Sequence, residues 1–220
     1  MDGNRRWARE RRLPIACGYR RGIAALRRTL RAAHRAGIPV VTAFAFSDEN
    51  WSRPPGEVSL IMALCVQAAR ELRTLAREGV RVRLCGRTDR FPSATRRALA
   101  DLVAHTAANR ALTLNLAIDY GARREIGDAV RALVREVNSG VRDVESIDDG
   151  AIGSRLYTAG LPDADLIIRT GGEVRLSNFL LFQAAYAEFW STKTYWPEFG
   201  EVELDAALAD FAARQRRYGT

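Results

Sequence analysis

The sequence predicts an α/β protein, a single domain in which a mostly parallel central sheet is flanked by helices. Apolar runs of strand length alternate along the chain with apolar stripes at helical spacing, the pattern of a parallel sheet covered on both faces. The 220 residues are 47% hydrophobic, which is enough to build one substantial core. No Gly-x-Gly-x-x-Gly fingerprint occurs, which argues against a dinucleotide-binding fold. We therefore expect one domain over residues 1–220.

The predicted elements follow one another in a regular order. Ile23, Leu26 and Leu30 recur on one helix face, and consecutive prolines at 54–55 suit the first turn of a later helix. Residues 138–150 are polar and acidic and predict a loop. In chain order the pattern predicts a helix around 23–30, a strand over 38–46, a helix over 55–72, strands over 80–85 and 112–118, a helix over 122–137, a strand over 166–169 and a terminal helix around 204–211.

The net charge is +8, and Lys193 is the single lysine among 34 basic residues. Arginines are spread through helical segments such as 27–35, which indicates solvated helix faces rather than one binding surface. We therefore expect no nucleic acid as partner. Phosphorylated substrates and peripheral contact with an anionic membrane surface explain the net positive charge equally well.

The sequence contains no run of eighteen apolar residues and no basic and apolar leader, so we expect a cytoplasmic protein without a membrane span. Its three cysteines, Cys17, Cys65 and Cys85, lack metal-binding spacing and have apolar neighbours. We interpret them as buried free thiols.

The segment 169–179, Arg-Thr-Gly-Gly-Glu-Val-Arg-Leu-Ser-Asn-Phe, follows the predicted strand 166–169. Open α/β sheets bind ligands at the carboxyl ends of their strands, so Arg169 lies where a ligand would bind. Arg175 and Ser177 add a second guanidinium and a hydroxyl, and the glycine pair permits close backbone approach. This pattern predicts a site for an anionic group such as a phosphate.

The first eight residues, Met-Asp-Gly-Asn-Arg-Arg-Trp-Ala, combine a carboxylate with two arginines ahead of a helix-compatible sequence. The start of a helix attracts anions. A carboxylate such as Asp2 fits beside these cations if magnesium bridges it to a phosphate. Two anion sites at opposite ends of the sequence therefore indicate two phosphorylated substrates.

These motifs resemble those of the cis-prenyltransferases, and two further stretches extend the resemblance. Ala-Phe-Ser-Asp-Glu-Asn-Trp at 45–51 precedes Arg-Pro at 53–54, and Tyr-Ala-Glu at 186–188 precedes Trp-Pro at 196–197. Four motifs in order and at similar spacing are far more specific than a lone glycine fingerprint. The resemblance implies a non-Rossmann α/β fold and a homodimer.

The resemblance also implies a reaction. Isopentenyl diphosphate would condense with an allylic prenyl diphosphate to give a linear Z-polyprenyl diphosphate of medium to long chain length. Catalytic roles fall on Asp2, Ser47 and Asn50, and Mg²⁺ would be bound by Asp2 and Glu188. The implied substrate-binding residues are Gly3, Asn4, Arg5, Arg6, Trp7, Tyr19, Phe46, Trp51, Arg53, Arg169, Arg175 and Ser177.

The growing chain needs an apolar tunnel, which we expect between the helix 55–75 and the strand 40–46. Ala45 is small, and short-chain members of the family place a larger residue here, which favours a medium-to-long product. The segment 217–219, Arg-Tyr-Gly, resembles an ending that reaches a diphosphate across the dimer interface.

The chain departs from the family pattern at four positions. Arg5 stands where glycine is usual, Ile15 replaces an arginine, and Tyr19 and Val174 replace histidines. One cation is lost and one gained nearby, so we hypothesise that Arg5 compensates for Ile15. Three alternatives remain: head-to-middle coupling of two allylic diphosphates of the lavandulyl type, a catalytically weak subunit, and an arginine-rich nucleic-acid binder.

Overall fold

The computed structural model describes residues 1–214, and its elements alternate between helices and strands. The segment 217–219, with its predicted role across a dimer interface, lies outside the described residues. The helices and strands are α1 (Asn4–Glu10), α2 (Ile15–Arg35), β1 (Val40–Ser47), α3 (Pro55–Leu72), β2 (Val80–Cys85), α4 (Ser93–Thr106), β3 (Leu112–Tyr120), α5 (Ala122–Asn138), α6 (Asp149–Gly153), β4 (Leu166–Arg169), β5 (Glu188–Ser191) and α7 (Glu201–Ala213).

Every strand pairing in residues 1–214 is parallel, which confirms the predicted fold class. One sheet has the order β1-β3-β2, and β4 pairs with β5 in a second sheet. A cleft of about 950 Å³ is lined by residues of both β1 and β4. The cleft therefore lies between the two sheets, and it reaches the carboxyl ends of both strands.

The predicted strands over 80–85 and 166–169 are confirmed with the same bounds, and β3 extends two residues beyond the prediction. Three elements were missed, α4, α6 and β5. The buried face of α4 consists of Thr95, Leu99, Leu102 and Thr106, so two of its four positions do not look apolar in the sequence. The predicted loop 138–150 also contains the start of α6, where the Asp148 carboxylate accepts a hydrogen bond from the Ala151 N–H (2.7 Å).

A β-bulge interrupts β1 next to the cleft. Phe44 pairs with Ala117 and Phe46 with Ile118, so Ala45 is the extra residue on its strand. Ala45 is exposed although it lies inside a strand, because it borders open space on the cleft side. The bulge therefore turns a small residue towards the cavity.

The cysteines are free, as predicted, but only one is fully buried. Cys85 is buried, whereas Cys17 and Cys65 are half-buried. Burial raises the pKa of the Cys65 thiol to about 11 and that of Cys85 to about 12, so both stay protonated at neutral pH. Among residues 1–214, no helix combines the length and apolar character needed to cross a bilayer.

Candidate active site

The N-terminal loop fixes Asp2 at the carboxyl end of β4. The Asp2 N–H donates to the Thr170 hydroxyl (2.9 Å), which donates in turn to the Asp2 carbonyl (2.7 Å). The Trp196 N–H also donates to that carbonyl (2.9 Å). Gly3 follows with a φ of 103°, and a Cβ there would lie 2.5 Å from the Tyr195 ring. The loop therefore requires glycine at this position.

The Asp2 carboxylate lies between two guanidinium groups. Arg169 donates to it from Nη2 (3.0 Å), Arg6 lies 3.3 Å away, and the Gly3 N–H donates at 2.7 Å. Burial alone would raise the pKa of Asp2, but the hydrogen bond from Arg169 and the charge of Arg6 outweigh it and lower the pKa. Asp2 is therefore a carboxylate at neutral pH, and the two predicted anion motifs meet in one site.

The loop after β4 is built around Arg169. Its Nη1 donates to the Ser177 hydroxyl (2.7 Å) and to the Arg175 carbonyl (2.5 Å), which ties the two ends of the loop together. The Arg175 side chain is 60% exposed and pairs with Glu173 (2.6 Å). Glu173 also pairs with Arg6 (3.3 Å), so this loop contacts the N-terminal segment.

The first glycine of the pair in this loop is explained by close packing. Gly171 has a φ of 83°, and a Cβ there would lie 2.6 Å from the Arg6 guanidinium. A side chain at this position would push Arg6 away from Asp2. The glycine therefore keeps the cations of the two motifs within reach of one ligand.

A 3₁₀ turn, Asp48–Ser52, carries Asn50 at the end of β1. The Ser47 N–H donates to Asn50 Oδ1 (3.2 Å) in a reciprocal capping box. Ser47, Asn50 and Arg53 all line the cleft. The structure thus brings these predicted residues to the same cavity as Asp2 and Arg169.

Phe46 and Trp51 support this turn from behind. Phe46 is 1% exposed, and its ring lies 5.2 Å from that of Trp51 and 6.0 Å from that of Phe91. The Trp51 indole N–H donates to Asp119 (3.0 Å). The structure gives Phe46 and Trp51 packing roles, since the pleat of β1 turns Phe46 into the core, and a substrate contact by either residue stays a prediction.

Asp119 was not singled out in the sequence. Its side chain is fully buried, and Arg124 (3.0 Å) and Arg90 both pair with it. Burial would raise the pKa of Asp119, but hydrogen bonds from Arg90 and Trp51 lower it. The available signal was a carboxylate directly after the predicted strand 112–118. Through Trp51, Asp119 anchors the turn that carries Asn50.

Glu57 is a second residue that sequence reasoning missed. Its side chain is 9% exposed, and it accepts hydrogen bonds from the Tyr19 hydroxyl (2.8 Å) and from Arg53 (2.9 Å). Arg5 lies 3.6 Å from its other oxygen. Burial and the hydrogen bond to Glu57 raise the pKa of Tyr19 to about 12, so the phenol stays neutral. The available signal was the four-residue spacing between Arg53, just before α3, and Glu57 in its first turn.

Asn4 and Trp7 differ in their relation to the cavities. Asn4 lines the cleft, and its buried Oδ1 has no hydrogen-bond partner within residues 1–214. A Cβ on Gly22 would lie 2.4 Å from that oxygen, so the neighbouring helix makes room for it. Trp7 instead packs beneath Arg11, whose guanidinium carbon lies 4.7 Å from the indole centroid. Asn4 therefore remains a substrate-binding candidate, whereas the structure gives Trp7 a packing role.

A second, narrower cavity of about 140 Å³ extends from the cleft into the core. It lies between α2, α3, α4 and the sheet, which agrees with the predicted tunnel beside α3 and β1. Ala45 borders both cavities. The apolar residues with which the helices line this second cavity include Ile23, Leu26, Ile61, Leu64, Cys65, Ala68, Ala69, Leu72, Leu99 and Leu102.

Ala45→Leu is expected to shorten the product, because the added carbons would enter the passage between the two cavities. Chain lengths would be compared by mass spectrometry. Ala63→Leu, at an exposed position on α3, adds the same carbons outside the tunnel and is the control. If Ala45→Leu lowers the melting temperature but leaves the product unchanged, the residue acts only in packing, for which overpacking costs about 1 to 3 kcal/mol.

Glu188 does not join Asp2 within one protomer. It begins β5 and pairs with Leu166, three residues before Arg169, which contacts Asp2. At about 3.3 Å per residue, this places Glu188 roughly 10 Å along the strand from the anion site. Its carboxylate accepts a hydrogen bond from Arg214 (2.7 Å). One protomer therefore does not bring Glu188 to Asp2, and metal ligation by Glu188 stays a prediction. Within residues 1–214 no three His, Cys, Asp or Glu side chains cluster as metal ligands.

Comparison with known proteins supports an isoprenoid role for this site. Residues 1–219 match the family model described as undecaprenyl diphosphate synthase. An isoprenyl transferase of Heliobacterium mobile is 46% identical over 220 residues, which cover all of this chain and 85% of the relative. A ditrans,polycis-undecaprenyl-diphosphate synthase of Xanthomonas axonopodis pv. citri, named as (2E,6E)-farnesyl-diphosphate specific, is 47% identical, with 86% of its length covered.

The fold has a similarly clear counterpart among solved structures. Lavandulyl diphosphate synthase from Lavandula x intermedia, in complex with dimethylallyl diphosphate, superposes with a TM-score of 0.97 and 31% identity. The match covers all of this chain and 95% of that one.

Proposed function

This chain belongs to the undecaprenyl diphosphate synthase family of prenyltransferases, and we propose that it condenses isopentenyl diphosphate with an allylic diphosphate into a linear Z-polyprenyl diphosphate. The observation that carries this proposal is the contact between Asp2 and Arg169, at the mouth of an apolar tunnel. It joins two cation-rich segments from opposite ends of the chain. Two diphosphates bound there would be neighbours, with room for a hydrocarbon tail behind them.

The allylic diphosphate is assigned to the N-terminal side of the site. Arg6 and the backbone of Gly3 lie beside Asp2, and Arg53 enters the cleft next to Tyr19. Guanidinium and amide donors aimed at the departing diphosphate would stabilise the charge that develops when the allylic carbon–oxygen bond breaks. Tyr19 is neutral, and its hydroxyl donates a hydrogen bond to Glu57 and accepts one from Arg53. Tyr19 therefore orients Arg53 and does not carry charge itself.

The isopentenyl diphosphate is assigned to the loop after β4. Arg169, Arg175 and Ser177 offer two guanidinium groups and a hydroxyl, which match the oxygens of one diphosphate. Because Arg169 also contacts Asp2, the second diphosphate would lie directly beside the first. This arrangement brings the attacking double bond towards the allylic carbon.

The proton released after carbon–carbon bond formation would leave near Asn50. An amide is too weakly basic to hold this proton by itself, and Asn50 Oδ1 already accepts from the Ser47 N–H. We assign Asn50 the role of orienting the acceptor, for which an oxygen of the departing diphosphate is available. Ser47 keeps Asn50 in position through the capping box.

The residues around Asp2 fit a magnesium ion. Mg²⁺ in phosphate sites is held by one or two carboxylates together with substrate oxygens and water, and Asp2 supplies one ionised carboxylate beside the predicted diphosphate. When bound, the ion would add positive charge at the leaving group. The chain's own residues would still place the diphosphate, since Arg6 and Arg169 flank the same carboxylate.

The proposal is tested by incubating the purified protein with isopentenyl diphosphate, (2E,6E)-farnesyl diphosphate and Mg²⁺. Products are identified by mass spectrometry, and a ladder of five-carbon additions is expected. Absence of any condensation product would reject the proposal.

Head-to-middle coupling is a second candidate, favoured by the TM-score of 0.97 to lavandulyl diphosphate synthase. That reaction needs only allylic diphosphate, so incubation with dimethylallyl diphosphate alone separates the two. A ten-carbon branched product without isopentenyl diphosphate would replace the leading proposal.

We also propose that the protein is a cytoplasmic homodimer that contacts membranes peripherally. Val130 and Val134 lie one turn apart on α5 and are 46% and 49% exposed, which leaves an apolar stripe available to a second copy. Analytical ultracentrifugation is expected to give twice the chain mass of 24.4 kDa. A monomer mass at micromolar concentration would contradict the dimer.

Arg5→Gly is expected to raise the Michaelis constant for the allylic substrate about tenfold, and Ile15→Arg should restore part of the loss. Arg5 lies 3.6 Å from Glu57, which also holds Arg53 at the cleft. The Arg5 guanidinium is therefore close enough to bind the same diphosphate as Arg53. If Arg5 and Ile15→Arg serve one diphosphate, the double-mutant cycle should show an interaction of about 1 kcal/mol or more.

Arg9→Gly is the matched control for this cycle, because Arg9 is exposed on the same helix. It reproduces the cost of glycine in a helix, about 1 kcal/mol, without removing the cation beside Glu57. Additive effects, with Arg5→Gly no worse than Arg9→Gly, would show that Arg5 is a surface charge.

A further inference from the structure

Asn178 connects three parts of the site through one side chain and its carbonyl. Its backbone carbonyl accepts from the Ala122 N–H (2.9 Å), and its Oδ1 accepts from the Arg123 N–H (2.9 Å). Its Nδ2 donates to Glu49 in the turn Asp48–Ser52 (3.0 Å). One residue of the loop after β4 therefore contacts both the start of α5 and the turn that carries Asn50.

The backbone conformation at this position suits asparagine. Asn178 has a φ of 60°, in the left-handed region that asparagine tolerates better than most residues. Gly121, which precedes α5, offers no side-chain cap, so Asn178 supplies the acceptors for the first two N–H groups of that helix. A Cβ on Gly121 would lie 2.7 Å from Asn178 Nδ2, which shows how closely the two segments pack.

These contacts have a consequence for the reaction assigned above. Asn178 is adjacent in sequence to Ser177, which accepts from Arg169, and Glu49 is adjacent to Asn50. The Asn178–Glu49 hydrogen bond therefore joins the isopentenyl-binding loop to the catalytic turn. Condensation requires the reacting carbons to approach within about 3 to 3.5 Å, so relative placement of these two segments affects the rate.

We propose that Asn178 is a positioning residue for the condensation, holding the isopentenyl-binding loop 175–178 in register with the turn Asp48–Ser52 through Glu49. This inference rests on the proposed function, because it assigns the loop to isopentenyl diphosphate. It gives Asn178 no direct contact with substrate. The hydrogen bonds that cap α5 hold Asn178 on one side. On the other side, its hydrogen bond to Glu49 links the loop to the turn Asp48–Ser52.

Asn178→Asp separates these two contributions. The variant keeps the shape, the acceptor for α5 and the tolerance of a left-handed backbone, but it loses the donor and sets a carboxylate against Glu49. We expect kcat/KM for isopentenyl diphosphate to fall about tenfold, the effect of losing one hydrogen bond to a charged group. Adding Glu49→Gln supplies a donor from the opposite side and should restore most of the loss.

The exposed pair Gln67 and Glu71 on α3 provides a matched control, since Gln67 Nε2 donates to Glu71 (2.8 Å) in the same amide–carboxylate chemistry. Gln67→Glu with and without Glu71→Gln is expected to leave the kinetics unchanged. Calorimetric binding of isopentenyl diphosphate gives a readout that does not require turnover. Melting temperatures of all variants report on the fold.

The outcomes are distinct. The inference is supported if the double variant restores kcat/KM and if the kinetic parameters for isopentenyl diphosphate change more than those for the allylic substrate. Unchanged kinetics in Asn178→Asp, or a loss that Glu49→Gln does not restore, overturns it. A wild-type protein that binds isopentenyl diphosphate but forms no product would reject the proposed function. Calorimetric binding of isopentenyl diphosphate to Asn178→Asp, with and without Glu49→Gln, would still decide whether Asn178 holds this loop.

Discussion

Asp2→Ala is expected to lower kcat on the order of a hundredfold or more while the fold is retained. The Asp2 carboxylate is part-exposed and contacts Arg169 and Arg6, whereas its backbone, held by Thr170 and Trp196, anchors the loop. Removing the carboxylate thus leaves the anchoring hydrogen bonds in place. Steady-state kinetics at saturating substrates and Mg²⁺ would measure the loss.

Asp2→Asn refines this test, because an isosteric amide removes the charge but preserves the shape. A comparable loss in both variants assigns the effect to the charge. Asp101→Asn, an exposed carboxylate on α4, is the control for a general change in net charge. Wild-type turnover in Asp2→Ala at saturating magnesium would reject the assignment of Asp2.

The arginines of the site are already paired with carboxylates. Arg6 and Arg169 contact Asp2, Arg175 contacts Glu173, and Arg53 contacts Glu57. A diphosphate must therefore exchange partners with these carboxylates when it binds. Magnesium beside Asp2 would reduce the repulsion between that carboxylate and the incoming anion, which gives a physical reason for placing the ion there.

Local sequence signals predicted much of the fold. The strand 80–85 alternates apolar residues with Arg81 and Arg83, the strand 166–169 is an apolar run that ends at Arg169, and the bounds of both were correct. The helix α4 was missed because threonines fill half of its buried face. A threonine hydroxyl is buried without cost only if it finds a partner, and Thr106 finds one in the Leu102 carbonyl (3.0 Å). This pairing is invisible in an apolar pattern.

The site was predictable where the motif is continuous in sequence and less so where partners come from elsewhere. The glycines of the two anion motifs indicated close approach, and the structure places Gly171 against Arg6. The roles of Glu57 and Asp119 depend on which cations the fold brings to them, so the local signals could mark these carboxylates but not assign their roles. The direction and pairing of β5, which separate Glu188 from Asp2, were also absent from the local pattern.

Arg169→Ala and Arg175→Ala are expected to raise the Michaelis constant for isopentenyl diphosphate more than that for the allylic substrate. Each charge-assisted contact is worth about 1.5 to 3 kcal/mol, so a weakening of roughly ten- to hundredfold is expected. The Arg169 side chain is 17% exposed and contacts Asp2 and Ser177, whereas Arg175 is 60% exposed. The larger loss should therefore follow Arg169→Ala, which also removes the support of the loop.

The two variants differ in a way that tests how the site is divided. Arg175 has no contact with Asp2 among the described ion pairs, so Arg175→Ala should leave allylic binding almost unchanged, while Arg169→Ala should affect it moderately. Arg97→Ala, an exposed arginine on α4, controls for the loss of one positive charge. Michaelis constants for both substrates provide the measurement. Equal weakening of both substrates in Arg175→Ala would show that the diphosphates are not divided between the two segments, because a residue on one side of the cleft would then serve both.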